Sequence, residues 1–190
     1  MRASHLLPLI GLTGKRGVGK TEAANHLVDM LGYGRIHPFG GGKAAAIGYF
    51  MHLGATHDEA CRMVHGDLRD APSDLLPDRV PPRHFLERFG RFMGVEMGSA
   101  WTLGAELAAA SRSDPGVPIV VESVVYEAPT IRAAGGVIVR ILRPGVDGPV
   151  GICTDAEQGA IAVDAEIVND GDIEKLRTAI ERIARAGPTG

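Results

Sequence analysis

Eight consecutive residues, Gly14-Lys15-Arg16-Gly17-Val18-Gly19-Lys20-Thr21, carry the densest chemistry in the chain. They match the pattern G-x-x-x-x-G-K-[ST] in full. Glycines in such a run let the backbone curl, so that successive N–H groups point at one anion. A helix that begins there adds about half a positive charge. The Lys20 ammonium can reach the outer phosphate oxygens of a nucleoside triphosphate, and the Thr21 hydroxyl can ligate Mg²⁺. The spacing has this meaning only between a strand and a helix. Residues 6–12 read as a buried strand, with Pro8 near its start. Residues 20–31 read as a helix with Ala23, Ala24, Leu27, Val28 and Leu31 on one face. ATP·Mg²⁺ binding by Gly14, Lys15, Gly17, Val18, Gly19, Lys20 and Thr21 is therefore expected, with Thr21 on the metal. The motif does not choose between transfer and hydrolysis.

A second chemical group ends the apolar run Ile119-Val120-Val121-Glu122. In open α/β sheets ligands bind at the carboxyl ends of the strands. Glu122 is thus expected near Mg²⁺ or the hydroxyls of an acceptor, unless it only caps the next turn. Phosphoryl transfer needs two anions held in line and their charge neutralised. Lys43, Arg69, Arg83, Arg91 and Arg143 are the basic candidates. Arg83, Glu87 and Arg91 are spaced to share one helix face, which reads either as a salt-bridged surface or as a phosphate clamp. Arg143 lies where a strand hands over to a Gly/Pro-rich segment, and reads either as placed to close on a transferring phosphate or as an ordinary exposed loop arginine. The histidines show no zinc spacing and read as surface or packing residues. Trp101 reads either as a stacking platform for a base or as core.

The rest of the chain must position these groups. At 190 residues and 45% hydrophobic content it has enough for one α/β domain with a packed core. A net charge of −3 does not point to a nucleic-acid partner. Cys61 and Cys153 lie far apart, outside any CxxC pattern, and fit free thiols in a reducing cytoplasm. The apolar start runs into the glycine loop without a cleavage pattern, and no run approaches the roughly 18 residues of a membrane span.

Further elements are expected as an extended piece at 35–39, a flexible glycine turn at 40–42, and helices at 43–53 and 58–64. A Pro-rich loop at 67–82 follows, then helices at 83–95 and 101–111. Strands at 118–122, 137–142 and 165–168 alternate with helices at 128–134 and 172–186, and 143–159 has the profile of a mobile lid. This alternation predicts a single α/β domain with a parallel five-stranded sheet flanked by helices. Its core is expected at 6–38 and 113–186, with a helical acceptor-binding region at 39–112.

The order of segments over about residues 7–185 resembles the deoxynucleoside monophosphate kinases of bacteriophages, within the P-loop nucleoside monophosphate kinases. After the glycine loop, Phe39-Gly-Gly-Gly-Lys43 resembles that family's Phe-Ala-Asp-Pro-Leu-Lys. Gly66-Asp-Leu-Arg69 resembles Gly-x-x-Lys. Pro82-Arg83-x-Phe-Leu86-Glu-x-Phe-Gly90 resembles Pro-Arg-x-Leu-Leu-Gln-x-Leu-Gly, and Trp101 falls where the family often has Trp. Val121-Glu122-Ser-Val-Val is similar to Asp-Val-Arg-Phe after a buried strand, and Glu127-Ala128 to Glu-Ala. Arg140-x-x-Arg143-Pro144 resembles the approach to the lid, and Asn169-Asp170-Gly171 the family's Asn-Asp-Gly turn.

The resemblance implies a P-loop fold in which ATP donates and a deoxynucleoside 5′-monophosphate accepts. It implies Lys20, Arg143 and Glu122 as catalytic residues, with Asn169, Asp170 and Gly171 beside adenine. Lys43, Arg69, Arg83, Trp101 and Glu122 would bind the acceptor. It implies a cytoplasmic location, the host's if the chain is viral; a homodimer is compatible with it. The departures fall on the acceptor side. The family's Asp is Glu122, its Arg two residues later is Val124, a later Arg falls on Val95, and the lid's His-x-Ser-Glu is Thr154-Asp-Ala-Glu157. Small residues at such positions suit a modified or bulkier pyrimidine acceptor. Dephospho-CoA kinase, and a non-catalytic ATP-binding switch, are the other readings.

Overall fold

The computed structural model of the protein describes residues 6–146 and 159–186. The lid expected at 143–159 lies mostly outside them, as do Cys153, Thr154 and Glu157. The chain divides into two compact units, one of residues 1–38 with 103–190, the other of residues 39–102.

The first unit holds five strands: β1 (Leu9–Thr13), β2 (Gly34–Ile36), β3 (Ile119–Val121), β4 (Val137–Leu142) and β5 (Ala165–Val168). They form one sheet in the order β2-β3-β1-β4-β5, parallel at every pairing. A parallel sheet is covered on both faces, so its central strand should be apolar throughout. All five residues of β1 are buried. Alternate side chains serve opposite faces. Ile10, Leu12, Val120, Val139 and Ile141 pack against α1 (Lys20–Leu31) and α7 (Ile173–Ala186), through Leu27, Leu176 and Ile180. Leu9, Val121 and Ile138 pack on the other face with Leu103 and Ile131. Ile131 comes from α6 (Ala128–Ala133), and Leu103 from α5 (Ser99–Ser113), which runs in from the second unit. A Cβ on Gly11 would lie 2.7 Å from Ile131 and 2.9 Å from Ile138, so the bare glycine lets α6 approach β1.

The first helix has the expected bounds. Its C-terminal Gly32 has φ 70°, and the Gly32 and Tyr33 amides return to the Val28 and Leu27 carbonyls. Only a residue at ease in the left-handed region closes a helix this way.

The second unit is helical: α2 (Gly40–His52), α3 (His57–His65), α4 (Pro82–Arg91) and the start of α5. Its core joins Ala46 and Phe50 to Ala60, Met63, Val64 and Leu86. Thr56 and Glu59 form a reciprocal capping box at the start of α3. Three expectations are corrected here. The glycines 40–42 are not a flexible turn but the first turn of α2. The Phe39 ring lies over that turn, where a Cβ on Gly42 would be 1.9 Å from it. Residues 67–82 are not one extended loop, since short 3-10 turns at Asp67–Asp70 and Pro77–Arg79 break it. The helix expected at 83–95 begins at Pro82 and changes to a wider π-turn at Phe92–Glu96. Among the described residues no helix is long and apolar enough to cross a membrane.

Candidate functional site

Because all strands run parallel, their carboxyl ends share one edge of the sheet. The glycine loop leaves β1 there, Glu122 leaves β3, Arg143 leaves β4 and Asn169 leaves β5. The expected strand–loop–helix setting is present, with α1 starting at Lys20 directly after the loop.

Glycine is required in the loop for two separate reasons. Gly14, Gly17 and Gly19 have φ of 130°, 84° and 111°, a region that L side chains enter only at a cost. Space excludes a side chain at two of them as well. A Cβ on Gly14 would lie 2.3 Å from the Ile141 carbonyl oxygen, and one on Gly19 would lie 2.7 Å from Asn169 Nδ2. The first-turn amides of α1 have no intrahelical acceptor, which leaves donors at the mouth of the loop. Lys20 folds back over that mouth. Its ammonium donates to the Gly14 carbonyl at 2.6 Å and to the Lys15 carbonyl at 2.8 Å.

Thr21, one residue on, meets the strand-end carboxylate: its hydroxyl donates to Glu122 Oε1 at 2.6 Å. The other oxygen of Glu122 is also held. Arg35, in the middle of β2, donates to Oε2 from Nε at 2.9 Å and again from Nη2. Its Nη1 donates to Asn25 Oδ1 on α1 at 2.7 Å. Ser123 follows Glu122 with φ 65°, uncommon for a residue with a Cβ. That reversal returns the chain to the core, where the buried Val124 donates its amide to the Leu12 carbonyl at 2.9 Å. The Val124 carbonyl accepts from the buried Thr13 hydroxyl, also at 2.9 Å. The position at which the resembled family carries an arginine is therefore a core position in this chain.

Asn169 braces the loop from behind. Its buried side chain donates from Nδ2 to the Val18 carbonyl at 2.8 Å and accepts from the Gly171 amide at 3.1 Å. Asp170 pairs with Lys175 at 2.9 Å, and this ammonium holds its carboxyl below the usual range. Gly171 turns the chain with φ 104°. The Arg143 side chain is exposed and makes no hydrogen bond or ion pair with a described residue. Three residues on, Val146 comes back to within 3.7 Å of where a Cβ on Gly17 would stand.

In the helical unit, the Arg83 guanidinium grips both oxygens of Asp70, the second at 2.7 Å. Lys43 and Arg69 lie near enough to His65 to depress its pKa, adding to the larger effect of its partial burial. Lys43 and Arg69 thus bring positive charge to the end of α3, and they and the partial burial of His65 favour its neutral ring. Trp101 is 54% exposed, so the core alternative for it is set aside. Cys61 is a half-buried free thiol.

Four residues with a part in this architecture were not singled out in the sequence for one. Arg35 sits in a three-residue strand too short to show alternation. Its signal was a cation on the strand just before the helical segment. Asn25 had no signal beyond being polar on α1. His65 had only its place at a helix end. Glu127 is 5% exposed, and Oε2 accepts from the Val125 and Tyr126 amides at 2.9 and 3.0 Å. Burial raises its pKa above the usual glutamate value, more than these bonds lower it.

Among the described residues no group of three or more His, Cys, Asp or Glu side chains could hold a metal by itself. The pair Thr21 and Glu122 offers hard oxygens instead, of the kind that share Mg²⁺ with water and phosphate. Compared with known proteins, the chain matches no family model and no curated protein.

Proposed function

We propose that the chain is a P-loop phosphotransferase that carries the γ-phosphate of ATP to a deoxynucleoside 5′-monophosphate. The observation that supports this most is the 2.6 Å contact between Thr21 and Glu122, beside a loop in which Gly14 and Gly19 can take no side chain. A loop that excludes Cβ atoms and is followed by a helix favours a phosphate chain lying along its backbone. Lys20, now spread between two loop carbonyls, has the reach to exchange them for β- and γ-oxygens. Thr21 and Glu122 would hold Mg²⁺ on the nucleotide, directly or through water. The bound ion supplies charge neutralisation between the phosphates. Arg143, exposed at the same edge, suits closure on the transferring group.

The acceptor rests on the resemblance to phage deoxynucleoside monophosphate kinases, together with the two cations Lys43 and Arg69 beside His65. The buried Val124 supports an acceptor side altered from that family's, hence a modified pyrimidine among the candidates. The test is ADP release from ATP·Mg²⁺ with each nucleoside monophosphate, 5-substituted pyrimidines and dephospho-CoA supplied singly. Lys20→Ala is the control. Turnover with one monophosphate, lost in the control, is the expected result. Turnover with dephospho-CoA alone would move the assignment to that kinase. ATP binding without any product would favour a non-catalytic switch.

A further inference from the structure

Glu122 carries more partners than a carboxylate awaiting a metal needs. Oε1 accepts from Thr21, and Oε2 accepts twice from Arg35. The guanidinium is anchored in turn, because Nη1 donates to Asn25 at 2.7 Å. Arg35 thus ties β2 to the end of β3 and to α1. The Glu122 side chain is only 12% exposed and that of Arg35 37%. An arginine does not lose its proton in a protein, so this positive charge is permanent. A divalent cation approaching Glu122 meets an ion pair whose negative member is already neutralised.

We infer that Arg35 is a positioning residue that aims Glu122 at Thr21 and competes with a divalent cation for the carboxylate. The metal site then fills well only when a nucleotide brings phosphate oxygens to it. The inference rests on the reading of this loop as a nucleotide site. Three features separate it from a plain surface ion pair. Two guanidinium nitrogens donate to one carboxylate oxygen, Glu122 is largely buried, and the arginine is held by a third residue. Asn25 has no charge of its own, so its contribution is to hold the guanidinium over the carboxylate.

The experiment is calorimetric titration of ADP into the whole chain, with Mg²⁺ and with EDTA. The ratio of the two Kd values measures how far the metal tightens ADP. Arg35→Gln removes the competing charge, and Mg²⁺ is expected to tighten ADP more than in the wild type. Since Arg35 is over a third exposed, screening trims the added factor to on the order of tenfold. Arg35→Lys keeps the charge and should stay near the wild-type ratio. Asn25→Ala, an exposed helix position, loosens the guanidinium and should shift the ratio the same way by less. It also carries the test if Arg35→Gln does not fold. An unchanged or smaller ratio in Arg35→Gln, with ADP bound by the wild type, would overturn the inference and leave the nucleotide site standing. A ratio in Arg35→Lys equal to that of Arg35→Gln would also overturn it. No ADP binding by the wild type in either condition would overturn both readings.

Discussion

Thr21 is the second residue of α1, Glu122 comes just after β3 101 residues later, and the hydroxyl of one donates to the carboxylate of the other across 2.6 Å. Thr21→Val keeps the shape of the side chain and removes that donor. Because Thr21 is exposed, the melting temperature should shift by only about 2–4 °C. Phosphoryl transfer should fall by on the order of 10²–10³, as when one preorganised charge-stabilising group is lost. Scanning calorimetry and ADP-release rates on the same preparation check both halves. A large stability loss with unchanged turnover would refute the assignment of Thr21.

Two glycines separate conformational strain from crowding. Gly32 has φ 70° and open space around it, so Gly32→Ala should cost about 1–2 kcal/mol from the backbone alone. Gly19 has φ 111°, and a Cβ there would meet Asn169 Nδ2 at 2.7 Å and Leu176 at 3.1 Å. Asn169 is buried and bonded, and cannot step aside. Gly19→Ala should therefore cost about 3 kcal/mol or more. Urea titration of both variants decides. Equal costs would mean that the contact with Asn169 is soft.

Asn169→Ala removes the partner of the Val18 carbonyl in a buried place. The expected loss is about 1–3 kcal/mol, the cost of an orphaned buried acceptor. Asn169→Asp should be worse, because a carboxylate oxygen would face that carbonyl without a proton to donate. Urea midpoints in the order wild type, Ala, Asp are expected; a reversed order for Ala and Asp would disprove the brace.

Glu127 gives a dependence on pH with a definite sign. Burial raises its folded pKa above the ordinary value of 4.5. The folded state thus binds more protons than the unfolded chain in the window above pH 4.5. In that window stability falls as pH rises, until the folded pKa is passed. Glu127→Gln keeps an oxygen for the Val125 and Tyr126 amides and has no charge to bury. It should be more stable than the wild type at pH 7 and should lose that advantage as pH drops through the window. Thermal unfolding at several pH values reads this; a wild type more stable than Glu127→Gln at neutral pH would contradict it.

What could be read in the residues was the part with a period or a fixed motif. Helix 20–31 and strand 137–142 have the bounds their patterns predict, because apolar spacing there agrees with packing. The glycine loop was legible for the same reason, since its residue types follow from backbone geometry. Gly40–Gly42 misled because propensity treats glycine as a breaker. The local packing of Phe39 needs a missing side chain inside the helix. Arg35 was illegible in a different way. Its meaning depends on β2 lying beside β3, and no local pattern announces which strands become neighbours.

The strand order has a consequence for how the chain is made. β1 lies between β3 and β4, and the partners of Ile10 there, Val120 and Val137, follow it by more than a hundred residues. A nascent chain leaving the ribosome thus carries the fully buried β1 and the glycine loop for most of synthesis with neither neighbour available. The helices at 40–91 contact one another over short sequence distances and can form meanwhile. The strand that bears the loop waits for residue 142 before both its edges are covered. That interval is when an unpaired parallel strand is most open to capture by another chain.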